Sequence, residues 1–428
     1  MAKPVSKRKH VIIGCGPAAL AALEKIRSIT SEDEITLVTK EDSYPYSPMI
    51  LPYLLSGKMR EADIAIRQGS YFERMKSTLL KGKEVTAVQP RKKEVTYSNG
   101  DTETYDTLLI ASGSEPLRPS ITGLDGVGSV GLHTLADCRN LAQELEDKKT
   151  VSVIGGGLIG MGVAAALLER GHEVSIVERE DRVLPLYFDA EAAMLIQQIF
   201  VHKGAQFLLG AEVAKVQRQG RGVEISVRDY PPLLTDLLIT AVGVKARSSF
   251  AQAAGIKTNR GIVVDNRMRT SGKDIYAAGD VAEAQSFLTK EHGMCPIVPT
   301  AVAQGEVAGA NMAGENMEYQ GWIPRNIFNF FGNRAFSVGV SLPLDNSCEE
   351  MKWADEKAKQ YKKLIYQDDA LIGCAFLNVD VDPGIVHYLI AQGLHIGSQK
   401  EALFQKPKEI SRWLMLEAER KQTLPSKS

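Results

Sequence analysis

The chain has 428 residues, enough for roughly three domains of ordinary size. It is 44% hydrophobic and 24% charged, which allows a sizeable core. A net charge of −1 argues against overall attraction to nucleic acid or anionic lipid, and five scattered cysteines without a CxxC or CxxxxC pair exclude a sequence-encoded zinc knuckle or a closely spaced redox disulfide.

The basic start turns apolar at Val11, carries Gly14 and Gly16 and has no convincing cleavage site, so no signal peptide is expected. The apolar run ending at Ile13 predicts a strand, and the Ala/Leu-rich stretch from Pro17 predicts a helix. Between them lies Gly14–Cys15–Gly16–Pro17–Ala18–Ala19, a GxGxxA pattern. Gly14 permits the tight turn, Gly16 lets backbone approach a pyrophosphate, and Ala19 lets helix and strand pack closely. The next apolar run ends at Val38, where an acid is expected for the ribose; Thr39, Lys40 and Glu41 stand there instead, with Thr39 or Glu41 as the ribose candidate.

Further along, 85–95 and Thr107–Ile110 predict strands, with a turn at Ser98–Asn99–Gly100. Val85, at the start of this run, is a candidate cofactor contact. The strand–turn–helix–strand unit then recurs about 140 residues on. Val151–Leu168 is nearly uncharged but glycine-rich, so it reads as a buried strand plus the start of a helix rather than a membrane span. Its turn is Gly155–Gly156–Gly157–Leu158–Ile159–Gly160, a full GxGxxG, and Glu178 ends the following strand. A carboxylate there accepts from a ribose 2′-hydroxyl and repels a 2′-phosphate, which predicts NAD(H) over NADP(H), softened by nearby Arg179 and Arg182. Strands are expected at 212–216, 223–228 and 237–241. An extended run over 274–282 ends in a tight turn. A helix is expected over 299–314, with Pro at its start and Gly at its end. Beyond about residue 320 the pattern changes to strands at 335–340, 363–366 and 371–379, a helix near 384–392, and a polar tail expected to fray over 419–428.

Three further motifs set the context. Thr270–Ser271–Gly272–Lys273–Asp274–Ile275–Tyr276–Ala277–Ala278–Gly279–Asp280 resembles the signature that follows the second nucleotide unit of two-dinucleotide flavoproteins. Ala111–Ser112–Gly113 resembles their ATG link, and Ala241–Val242–Gly243 its counterpart at the return crossing. All five motifs occur in family order. On them the chain resembles the pyridine nucleotide–disulfide oxidoreductase superfamily of FAD/NAD(P) flavoproteins. The resemblance implies an α/β fold with two Rossmann-like dinucleotide-binding domains and a C-terminal α+β interface domain. It implies FAD at 8–115 plus 245–318, NAD(H) at 116–244, and a dimerisation or interface domain at 319–420. It also implies that Asp280 meets the flavin ribityl chain, and that the helix start Pro299–Thr300–Ala301 faces the flavin pyrimidine edge.

The departures carry the functional reading. Tyr46–Ser47–Pro48–Met49–Ile50–Leu51–Pro52–Tyr53 resembles the segment where relatives carry a redox cysteine, with Met49 in its place beside Pro48. A thioether forms neither a thiolate–flavin adduct nor a disulfide. Electrons are therefore expected to leave the flavin directly, as in rubredoxin-, ferredoxin- and nitrite-reductase-type flavoproteins. A further resemblance is to the flavoprotein subunit of NADH-linked phenylglyoxylate dehydrogenase complexes. It rests on Ser56–Gly57–Lys58, Ile297–Val298–Pro299, Gln304–Gly305 and Phe330–Phe331–Gly332 among others. It implies an NADH:acceptor oxidoreductase exchanging electrons with an iron–sulfur protein or subunit, in a homodimer or multi-subunit complex. The alternatives are a free-standing NADH oxidase or reductase of a small redox protein, and an NADH-sensing binding module. Gly162, where the family often has Glu, is the one feature leaning towards the sensor. The seven histidines show no metal-like spacing, and a cytoplasmic setting is expected. Phe328, Phe330, Phe331 and Phe336 are expected in a core or interface, with an acceptor-facing role as the alternative.

Overall fold

The computed structural model describes residues 7–423. The chain divides into two compact units. The first comprises the chain up to Ile50, Met59–Glu115 and Val244–Trp322; the second comprises Leu51–Lys58, Pro116–Gly243 and the chain from Ile323.

At the centre of the first unit is a parallel sheet in the order Ile275–Ala277, Thr107–Ile110, Lys9–Ile13, Glu34–Val38, Ser77–Leu80. Its middle strands are buried apart from the first residues Lys9 and Glu34 and are largely apolar, as parallel strands covered on both faces are. The helix Pro17–Ile29 packs against the helix Val298–Met312. A Cβ on Gly305 would stand 2.2 Å from the Ala18 carbonyl oxygen, and one on Gly309 would stand 2.6 Å from that of Ala22. The two backbones therefore touch, which only glycine allows. Within the strand Lys9–Ile13, His10 is fully buried, with Nδ1 2.7 Å from Thr107 Oγ1 and Nε2 3.0 Å from Asp33 Oδ2. It is a structural histidine.

The strand expected over 85–95 is instead two strands, Val85–Gln89 and Glu94–Tyr97, reversing through Pro90–Lys93. Pro90 has no N–H for a ladder, and Lys93 takes φ 52° to close the turn. A third strand, Thr102–Thr104, follows the Ser98–Gly100 turn.

The second unit holds a parallel sheet in the order Gln206–Leu208, Glu173–Val177, Thr150–Ile154, Leu237–Thr240. An antiparallel sheet of Val213–Gln219, Gly222–Val227 and Leu233–Thr235 accompanies it. Its C-terminal part is a five-stranded antiparallel sheet in the order Arg325–Phe330, Asn333–Gly339, Ala370–Leu377, Gln360–Gln367, Glu349–Asp355. The helices Pro383–Ala391, Lys400–Gln405 and Pro407–Thr423 complete it. The strand Glu349–Asp355 was not legible in the sequence because it is a polar edge with little alternation. Phe328 and Phe330 stack with Phe200, and Phe331 meets it edge-on, so the phenylalanines form core. Lys363 is buried and ion-paired with Asp189 at 2.9 Å and Glu350 at 3.1 Å. The last helix runs to Thr423, which takes in the first five residues of the polar tail, and 424–428 lie outside the described residues. Among the described residues no helix is long and apolar enough to cross a membrane.

Candidate functional site

The first unit gathers its motif residues around one turn. Gly14 has φ +112°, and a Cβ on it would stand 2.1 Å from the Ala111 carbonyl oxygen. The Ala111 N–H in turn donates to Ile13 O at 2.8 Å, so the link segment lies directly on the turn. Gly16 caps the helix, Pro17 enters it, and the first turn carries neither an acidic residue nor a side-chain cap. Ala19 is fully buried against the sheet. A Cβ on Gly16 would meet nothing within 4 Å. The turn is therefore unobstructed at Gly16, at the start of a helix whose first N–H groups have no side-chain cap.

The Gly279–Asp280 turn is wedged into the same place. A Cβ on Gly279, which has φ +82°, would stand 3.1 Å from Ala18 Cβ and 3.7 Å from Ala301 Cβ. The Gly279 N–H donates to Gln304 Oε1 at 2.8 Å, and Ser114 Oγ donates to Asp280 Oδ2 at 3.1 Å. Ser112 Oγ donates to the Arg247 carbonyl at 2.9 Å, while Gly113 has φ +70°. Gln304, Ser114 and Arg247 were missed from sequence as site residues. The Gln304–Gly305 pair was the one signal available, and its role as acceptor for Gly279 needs the folded helix.

Two clusters flank this turn. Glu41 Oε2 accepts from the Tyr46 hydroxyl at 2.7 Å, and its charge adds to the burial that pushes the Cys15 thiol up to about 12. Thr39 Oγ1 accepts from the Glu41 N–H at 3.3 Å. At the start of the helix Val298–Met312, Thr300 is buried and its hydroxyl donates to Cys295 Sγ at 3.5 Å. The Tyr319 hydroxyl bonds to Gln304 and Thr300, with burial pushing its pKa up. The Thr300 side chain is thus held by protein; Pro299 has no N–H and the Ala301 N–H donates to Ile297 O at 3.0 Å, so of these three residues only Thr300 has a backbone donor to offer a ligand. Burial also pushes Cys295 up to about 11.

Four predicted residues lie outside these clusters. Val85 is in the hydrophobic core of the first unit. Lys40 is exposed and 3.8 Å from Glu84. Pro48 opens a short turn that leaves Met49 57% exposed.

The second unit repeats the design with a different acid. Gly155 has φ +109°, with its Cβ position 2.4 Å from Ala241 O, and a Cβ on Gly160 would stand 1.9 Å from Gly155 O. Gly157 caps the helix Leu158–Glu169, and a Cβ there meets nothing within 4 Å. Ile159 is exposed beside it. Gly243 has φ +117° and its carbonyl accepts from Leu117 N–H at 2.9 Å. Glu178 lies on the turn, accepting from Gly156 N–H at 2.6 Å and Glu180 N–H at 2.9 Å. Arg182 is engaged by Asp181 and the Phe188 carbonyl at 2.7 and 3.3 Å, and Arg179 pairs with Glu180 at 3.3 Å. Gly162 faces Pro52, whose Cγ stands 3.4 Å from a Cβ placed there. A long side chain at this position would run into the helix Leu51–Leu55, which gives Gly162 a packing reason.

Each unit thus offers uncapped backbone donors at a helix start, an unobstructed middle glycine and a nearby carboxylate. That donor set fits a dinucleotide twice.

Residues 8–305 match the family described as pyridine nucleotide-disulphide oxidoreductase, and residues 324–381 match the rubredoxin NAD+ reductase C-terminal domain. The NADH-dependent phenylglyoxylate dehydrogenase subunit epsilon of Aromatoleum evansii is 33% identical over 97% of this chain and 99% of its own. The NADH-rubredoxin oxidoreductase of Clostridium acetobutylicum is 30% identical over 77% of this chain and 81% of its own. The solved covalent putidaredoxin reductase–putidaredoxin complex shares the fold, with a TM-score of 0.86 and 23% identity, covering 95% of this chain and 100% of that one. The chain belongs to the pyridine nucleotide-disulphide oxidoreductase family, and it is an oxidoreductase whose cofactors are FAD and NAD(H).

Proposed function

We propose that the chain exchanges hydride between NAD(H) and FAD and passes electrons to or from an iron–sulfur protein or subunit. The observation that carries this reading is Met49, an exposed thioether at the position where relatives carry a redox thiol. Cys15 and Cys295 are the thiols nearest the candidate flavin turn, and both are held protonated by burial. No thiol–disulfide relay is then available, and the acceptor must take electrons from the flavin itself. The named relatives, a dehydrogenase subunit and a rubredoxin reductase, support an iron–sulfur partner.

We assign FAD to the first unit and NAD(H) to the second. Gly14, Gly16, Pro17, Ala18 and Ala19 would seat the FAD pyrophosphate, with Ala111–Gly113, Gly279 and Asp280 along its ribityl side. Glu41 or Thr39 would take the adenosine ribose. Gly155, Gly157, Leu158, Ile159 and Gly160 would seat the NAD(H) pyrophosphate, with Gly243 at the crossing and Glu178 on the ribose 2′-hydroxyl. The flavin, when bound, supplies the exchange between two-electron and one-electron chemistry. The helix start at Pro299–Ala301, through the Thr300 N–H and the positive end of the helix dipole, would steady negative charge on its pyrimidine edge, a helix-terminus effect of about 0.3–2 kcal/mol. A cytoplasmic setting and a multi-subunit or dimeric assembly complete the reading; five scattered cysteines, an odd and sparse count without a CxxC pair, suit a reducing compartment.

The test is an anaerobic NADH titration read at the flavin absorbance, followed by addition of oxidised rubredoxin as the acceptor probe. Bleaching by one NADH per flavin without a thiolate charge-transfer band, then rubredoxin reduction, is the expected result. Bleaching reversed only by oxygen points to an oxidase. Nucleotide binding without bleaching, together with an NADH-dependent shift in mass, points to a sensor.

A further inference from the structure

Arg247 has a buried polar atom that the protein leaves unmatched. Its backbone is clamped on both sides to the link segment: the Arg247 N–H donates to Gly113 O at 3.0 Å, and the Arg247 carbonyl accepts from Ser112 Oγ at 2.9 Å. Among the described residues its Nε is buried without a hydrogen-bond partner. The nearest carboxylate oxygen, Glu115 Oε2, is 3.9 Å away, beyond hydrogen-bond reach. Glu115 is itself engaged by Lys245 at 3.0 Å. Two cations therefore share one carboxylate here. Leaving a buried guanidinium nitrogen unpaired is unfavourable unless something completes it.

The position of Arg247 says what that is. The link segment lies on the first glycine turn, since Ala111 is bonded to Ile13 and blocks any Cβ on Gly14. Arg247 is tied to the next two residues, 112 and 113. The helix behind that turn presents N–H donors with no acid and no cap to meet them. Uncapped donors on that turn, and a buried guanidinium nitrogen without a hydrogen bond on the residue whose backbone is tied to its link segment, call for one anion with several oxygens. A pyrophosphate has this form, and guanidinium meets it with paired N–H groups.

We propose that Arg247 is a cofactor-binding residue that meets the pyrophosphate of FAD, working with the Gly14–Ala19 turn. This rests on the assignment of FAD to the first unit. The test uses the full-length protein stripped of flavin and titrated with FAD and with riboflavin, which has no phosphate. Arg247→Met should weaken FAD about ten- to hundredfold and flatten the salt dependence of FAD binding. Riboflavin binding should not change. Arg247→Lys should recover part of the loss, and Glu115→Gln should leave FAD binding unchanged or tighter. The melting temperature of the stripped Arg247→Met protein should match the wild type, because the cation has no full partner to lose. Unchanged FAD affinity overturns the proposal. A fall in the stripped protein's melting temperature, or an equal loss for riboflavin, also overturns it and makes Arg247 a structural residue. Wild-type protein that takes up no FAD would instead remove the assignment of FAD to this unit.

Discussion

The two glycine turns share one design and diverge in what surrounds them. In both, the first glycine is forced by backbone contact, at Ala111 O for Gly14 and at Ala241 O for Gly155, and the middle glycine, Gly16 or Gly157, faces open space. The difference lies in the acid and the cover. Glu178 follows its strand directly and grips the turn through Gly156 N–H. At the equivalent place in the first unit stands Thr39, and the nearest carboxylate, Glu41, is held by Tyr46. The helix after the first turn is also covered, by Gly279 against Ala18 and by the helix Val298–Met312, whose glycines let it lie against Ala18 and Ala22. The helix after the second turn has an exposed residue, Ile159, in its first turn. A covered helix start suits a cofactor that stays, and an exposed one suits a cofactor that exchanges at every cycle.

The sharpest way to break this comparison is to add a methyl group to each turn. Gly14→Ala combines a positive φ with a blocked Cβ and should cost at least about 3 kcal/mol, with loss of bound flavin. Gly155→Ala carries the same strain but should leave flavin bound while abolishing nicotinamide binding. Flavin content after gel filtration and an NADH titration separate the two. Equal flavin loss in both variants would remove the division of roles.

A smaller effect comes from the acids. Glu178→Ala should raise the KM for NADH about tenfold and narrow its advantage over NADPH, by removing a charged hydrogen bond worth about 1.5–3 kcal/mol. Glu41→Ala should leave that KM unchanged and speed flavin dissociation. Steady-state kinetics with both nucleotides read the first effect, and flavin fluorescence on dilution reads the second.

Thiol reagents should do less still. Burial pushes Cys15 up to about 12, Cys295 up to about 11 and Cys374 up to about 12, so all three stay protonated at pH 8. Alkylation at that pH should leave NADH-dependent flavin bleaching intact. Inhibition by alkylation would put a thiol back in the electron path.

The smallest effect is on acid stability. In the first unit, burial holds the His10 pKa below 6.5, so the unfolded chain binds its proton first. Stability from this site is present above pH 6.5 and is lost as pH falls from there towards the depressed folded value. In the second unit, burial alone would raise the Asp189 pKa, but hydrogen bonds from Lys363, Tyr361 and the Ala192 N–H outweigh it and hold it below 3.8. That contribution is present above pH 3.8 and disappears below it. Thermal melts from pH 7 to 3 should show the His10 loss first, and His10→Asn should flatten the upper part only.

Chain-local chemistry made both dinucleotide units legible. A strand, a glycine turn and a small-residue helix are set by neighbours within about 30 residues, and so is the place of Glu178 after its strand. The exposed thioether at Met49 was equally plain, because a missing thiol is a matter of residue type. The sequence could not show which distant groups complete the site. Gln304 reaches Gly279, Ser114 reaches Asp280, and Arg247 is clamped to Ser112 and Gly113 by contacts spanning 25, 166 and 135 residues or so. Nor could it show that Val85 belongs to the core, or that Gly162 makes room for Pro52. Local pattern decides where backbone turns and which face is apolar. Which side chains share a few ångströms of buried space is decided only when the sheets and helices close on one another, and there the fold finishes the site that the sequence began.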